Sequence, residues 1–170
     1  RALPPDAMKL PLNLLHLLRQ RTVESERIDE GRLDPDPILR TLCAFANDFA
    51  KLGGGYLVIG QDCDADGRPV FPPVGLAENR IDKIQRLPAC QLIQPPHFPA
   101  LSVEQVEGRH LIVLQAPGGM HRPYKAPASV KAKHKTRHYG IRRDGSTVEA
   151  KGADSLRELS HTPWDDFKLR

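Results

Sequence analysis

Residues 37–62 place an apolar helix-like run, three glycines and an apolar strand-like run in that order. This order constrains the fold more than any other stretch. Ile38, Leu42, Phe45, Ala46 and Phe49 recur three or four apart, so the spacing predicts a helix from about 37 to 51 with one apolar face. Asp36-Pro37 ahead of it supplies an N-cap and a proline suited to the first turn. Phosphate loops run strand, glycine turn, helix, because the anion sits on the free N–H groups at a helix N-terminus. Here Gly53-Gly54-Gly55 follow the helix, where unmet carbonyls make the local potential negative. Gly53 is expected as a left-handed C-cap, and its neighbours as a reversal into the strand YLVIGQD. The sequence contains no Gly-Lys-Ser/Thr, so P-loop chemistry is excluded and the glycine run is read as structural.

The remaining pattern mixes helices with a larger number of strands. Leucines at 10, 14, 17 and 18 predict an N-terminal helix, and ESERIDE at 24–30 a short strand. Asp66-Gly67 offers a tight turn, and PVGLAENRIDKIQRL a loop entering a second helix that Pro88 stops. ALSVEQVEGRHLIVLQA reads as a hairpin joined near Glu107-Gly108, HKTRHYGIRR as a later strand, and SLRELS as a short closing helix. The expectation is α+β: a single domain with a mixed twisted sheet and hairpins, flanked by two main helices and an N-terminal one. Residues 1–7, ahead of Met8, are expected to be foreign to the domain, 8–160 to form it, and 161–170 to begin a linker to further C-terminal domains. No apolar run approaches the roughly 20 residues of a membrane span. Cys43, Cys63 and Cys90 have neither disulfide nor zinc spacing, and Cys43 falls on the apolar helix face. A reducing cytoplasm is the expected setting.

The formal net charge of +4 is modest, but its distribution is uneven. Residues 24–37 hold six acids, whereas residues 121–143 hold eight Lys or Arg, three His and no acid. Arg122, Lys125, Lys133, Lys135, Arg137, Arg142 and Arg143 are the expected phosphate contacts, with Tyr124 and Tyr139 placed to stack on unpaired bases. Regular alternation through 137–143 would set Arg137, Tyr139, Ile141 and Arg143 on one face. Lys131, Lys133, Lys135 and Arg137 would make a basic stripe if the strand began that early. The histidines lack the spacing of a metal set.

Five blocks together resemble a known family: ESERID at 24–29, AFAN at 44–47, GGGYLVIGQD at 53–62, RPYK at 122–125 and YGIRRDGSTVEA at 139–150. Their order is similar to that of Schlafen-type AlbA-like domains, found in bacterial transcriptional regulators and animal Schlafen proteins. The resemblance implies nucleic-acid binding, to DNA or RNA, in a regulator with further domains and no resident cofactor. A homodimer would widen the basic surface. A rival implication is a ribonuclease acting on structured RNA, with Glu24, Asp29 and Asp62 holding Mg²⁺ or Mn²⁺ to activate water. Glu24 and Asp29 are five apart, so they converge only across a bulge or bend. Some family members carry an ATP-binding label, and nucleotide binding is the third expectation, with no site for it evident in the residues.

Overall fold

The first main helix begins and ends through aspartates. In the computed structural model, which describes residues 23–26, 34–49, 51, 53–66, 68–85, 91–131, 136–143 and 146–160, helix α1 spans Pro35–Asn47. Asp34 caps it by accepting the Asp36 N–H at 3.0 Å. Asp48 closes it in the left-handed region (φ 45°), its N–H reaching the carbonyls of Ala44 and Phe45. The left-handed cap expected at Gly53 is therefore supplied by Asp48. An aspartate tolerates this conformation because its short carboxylate bonds locally, and Oδ2 accepts the Gly53 N–H at 3.0 Å.

The chain divides into two compact units interleaved along the sequence. The first holds strand β1 (Val23–Glu26), residues 56–87 and residues 100–115. Its sheet runs β1-β2-β4-β3, with β2 at Gly54–Ile59, β3 at Ala100–Val106 and β4 at Arg109–Pro117. β1 pairs parallel with β2 and β3 antiparallel with β4, so the sheet is mixed as expected. Glu107 and Gly108 both have positive φ (48° and 77°), the two-residue turn whose twist suits a hairpin. Val58, Leu111 and Val113 form the core, covered by Tyr56 and Val106. Helix α2, Glu78–Gln85, buries Ile81 and Ile84. Residues 62–70 fold back on themselves, Asp64 Oδ1 accepting the N–H groups of Asp66 and Arg68.

The described residues of the second unit lie within 34–55, 91–99 and 116–160. α1 is its spine, with Ile38, Leu39, Leu42, Cys43, Phe45 and Ala46 all buried. Two short antiparallel pairs join it: β5 (Ala126–Pro127) with β6 (Arg137–His138), and β7 (Gly140–Arg143) with β8 (Ser146–Glu149). The single strand expected over 134–143 is thus two strands in separate ladders, broken at Tyr139, whose carbonyl accepts the Ala150 N–H at 2.7 Å. Helix α3 (Ala153–Ser160) buries Leu159 against Ile141 and Ala150. The glycines after α1 serve close approach. A Cβ on Gly54 would strike the Ala116 carbonyl, and one on Gly55 the Phe45 ring. The N-terminal helix expected near residues 10–18 lies outside the described residues. Among the described residues no helix is long and apolar enough to cross a membrane.

Candidate nucleic-acid interface

The basic segment of the second unit separates into an inner and an outer part. α1 carries no basic residue in its last turn, and Arg122 supplies the missing cation from 75 positions away. Its Nη1 donates to the Asn47 carbonyl at 3.3 Å and its Nε to Gly119 at 2.9 Å. A guanidinium there neutralises the negative end of the helix. Arg122 is 8% exposed and Tyr124 2%. Asn47, wholly buried, donates to the carbonyls of Tyr124 (2.9 Å) and Gly140 (2.6 Å) and accepts the Tyr124 N–H at 2.6 Å. The Tyr124 hydroxyl accepts the His121 N–H at 3.2 Å, and its ring lies 5.1 Å from that of His97. His97 Nε2 donates to the Pro117 carbonyl at 2.8 Å. Burial lowers the His97 pKa, and this hydrogen bond opposes the shift. Arg122 and Tyr124 were expected at the interface, but the structure engages both side chains inside the fold.

The outer part is built on β6, β7 and β8. Arg142 Nη1 donates to Thr147 Oγ1 at 2.8 Å, and its guanidinium carbon stands 5.9 Å from the Phe45 ring centroid. Partial burial lowers its pKa. Arg143 is exposed and stands 5.7 Å from the Phe49 centroid. Both distances fall within the roughly 6 Å of a cation–π contact. Arg137 and Lys125 are half-buried, and Lys125 exchanges backbone hydrogen bonds of 2.9 Å with Gln94. Tyr139 packs on the Ile141, Ala150 and Leu159 cluster. Lys131 lies in a turn, and Lys133 and Lys135 fall outside the described residues, so the stripe proposed for 131–137 has only its ends described. Glu149 pairs with His138 Nδ1 at 3.0 Å and more distantly with Lys151 at 3.9 Å. The His138 hydrogen bond is the main cause of its lowered pKa. Sequence reasoning missed Arg40, an exposed cation on α1 whose isolated position in an apolar helix gave no signal.

Of the three candidate acids, Glu24 and Asp62 belong to the first unit. Glu24 lies on β1 level with Leu57 of β2, five residues before Asp62, and the chain bends between them at Gly60 (φ 99°). Asp62 is half-buried and its carbonyl accepts the Val70 N–H at 2.9 Å. Asp29 lies outside the described residues. Among the described residues no three His, Cys, Asp or Glu side chains gather as a metal set.

Comparison with known proteins agrees with the five sequence blocks. The family described as Schlafen, AlbA_2 matches residues 19–151. The solution structure of the N-terminal domain of a RecG-related protein from Nitrosomonas europaea is 26% identical with a TM-score of 0.50. That similarity covers 82% of this chain and 89% of the other. The DIP2311 protein of Corynebacterium diphtheriae is 15% identical with a TM-score of 0.47, over 81% of this chain and 23% of that one. No curated protein matches the sequence. With its family blocks set on α1, the glycine reversal, the Arg122 loop and the β7–β8 ladder, the chain belongs to the Schlafen AlbA_2 family.

Proposed function

We propose that this domain binds nucleic acid through the outer cations of its second unit: Arg40, Lys125, Lys131, Arg137, Arg142 and Arg143, with Lys133 and Lys135 between them in sequence. One observation carries the reading. Arg142 and Arg143, adjacent on β7, are each held over an aromatic ring, at 5.9 Å from Phe45 and 5.7 Å from Phe49. Side chains ordered before contact lose less entropy on binding, and a guanidinium matches a phosphate in a bidentate way. Family membership supports the same reading, since the blocks that define the resemblance include this ladder. Phosphate contacts carry no sequence information, so recognition is expected to be general rather than site-specific. A role in a transcriptional regulator follows from the same resemblance.

Binding measured by fluorescence anisotropy across salt tests the proposal. Six phosphate contacts to duplex predict a loss of about 10³-fold in affinity between about 50 and 200 mM salt. Affinity that ignores salt, or that survives the double substitution Arg142→Gln and Arg143→Gln unchanged, would remove the reading. A second reading rests on the parallel pairing of β1 with β2, which sets the strand of Glu24 beside the one leading to Asp62. Under it, Glu24, Asp29 and Asp62 hold Mg²⁺ or Mn²⁺ and cleave RNA. Cleavage of a structured RNA that requires the metal and disappears in Asp62→Ala would favour it over binding alone.

A further inference from the structure

Within the second unit a cleft of about 240 Å³ opens between α1 and the short ladders. Pro127 and Val148 wall it, and Arg40, His138, Thr147 and Glu149 bring polar groups to it. Its innermost lining is Cys43, 1% exposed, whose thiol burial pushes up to about 12 against the opposing hydrogen bond with the Gly140 backbone. That thiol is a neutral surface and not a nucleophile. The volume is below the roughly 300–1,000 Å³ of pockets for drug-sized ligands, so it suits a single ring system.

The polar groups discriminate among occupants. Glu149 is a carboxylate, kept ionised by its hydrogen bond with His138, and it repels a phosphate from the cleft itself. A wholly apolar ring would offer no acceptor to the Thr147 hydroxyl hydrogen and would displace water from the Glu149 carboxylate, which His138 and Lys151 satisfy only in part. Thr147 accepts from Arg142 and keeps its own hydrogen to donate. A nucleobase fits these conditions: it is neutral and flat, with amino donors and ring acceptors on its edge. Cations adjoin the cleft on more than one element. Arg40 lines it, Arg142 reaches it through Thr147, and Arg137 pairs in register with Pro127.

From this juxtaposition we infer that the cleft takes one unstacked base of a single-stranded nucleic acid, while the strand's phosphates lie on the surrounding arginines. The inference rests on the nucleic-acid reading above and specifies its substrate as strands with unpaired bases. A free mononucleotide offers the same base and phosphate, so the test separates the two sources.

The test compares a short homopolymer strand with an abasic strand of equal length at one salt concentration, and adds adenosine monophosphate alone. The expected result is at least ten-fold tighter binding of the base-bearing strand. Ala128→Trp, at an exposed residue of the lining, should abolish that preference and leave abasic affinity unchanged. Val148→Trp serves the same purpose if the first variant fails to fold by circular dichroism. Equal affinity for both strands, or a preference that survives the filled cleft, overturns the base pocket while the phosphate reading stands. Monophosphate binding as tight as the strand also overturns it, in favour of a free nucleotide. Failure of both strands to bind removes the nucleic-acid reading itself, and the cleft's role with it.

Discussion

Arg122 and Arg143 lie in the same acid-free segment and contrast in use. Arg122 is buried and bonded to two backbone carbonyls at the end of α1 and to that of Gly119. Arg143 stands exposed beside one ring. One arginine substitutes for a basic last turn that α1 lacks, and the other presents its charge to solvent. Charge density along a chain therefore does not measure the charge available to a ligand. What decides is whether backbone carbonyls converge on the guanidinium before a phosphate can.

This contrast breaks most visibly in stability. Arg122→Ala leaves the carbonyls of Asn47 and Gly119 without this donor, and is expected to cost about 3 kcal/mol in urea unfolding. If its unfolding midpoint matched the wild type, the inner part would not be structural. Arg143→Gln should shift stability by less than about 0.5 kcal/mol. It should weaken binding evenly across sequences and lower the salt slope by about 1. A variant that loses stability but not affinity would exchange the roles assigned to the two arginines.

The smallest effect concerns His97. Its folded pKa lies below the unfolded value of 6.5, so its contribution is present above that pH and lost as pH falls through the lowered folded value. Thermal unfolding between pH 7 and 5 should show a fall in Tm that His97→Gln reduces. An unchanged pH profile in that variant would separate His97 from the inner part.

Much of the scaffold is legible in the sequence because it depends on local pattern. The apolar spacing of Ile38, Leu42 and Phe45 gives α1, and alternation about Glu107-Gly108 gives the hairpin. The order of helix and glycines marks the reversal as structural, and the approach of Gly55 to Phe45 gives its steric reason. Other features depend on what meets in space. Alternation continues through Tyr139, so nothing local announces that its carbonyl turns to Ala150 and divides the strand. Burial of Arg122 follows from contacts with residues 74 and 75 positions away, and a basic run reads the same whether or not those contacts exist. The cleft is assembled from four separate stretches and has no motif of its own.

The single amide of Asn47 joins backbone groups 77 and 93 positions further along the chain. During synthesis the end of α1 emerges long before either acceptor exists. Closure of the second unit must wait until translation has passed Gly140, and contacts of such sequence separation make folding slow. Until then the helix end, its glycine reversal and the β7 arginines have no common anchor, so the proposed binding surface cannot be assembled before that point.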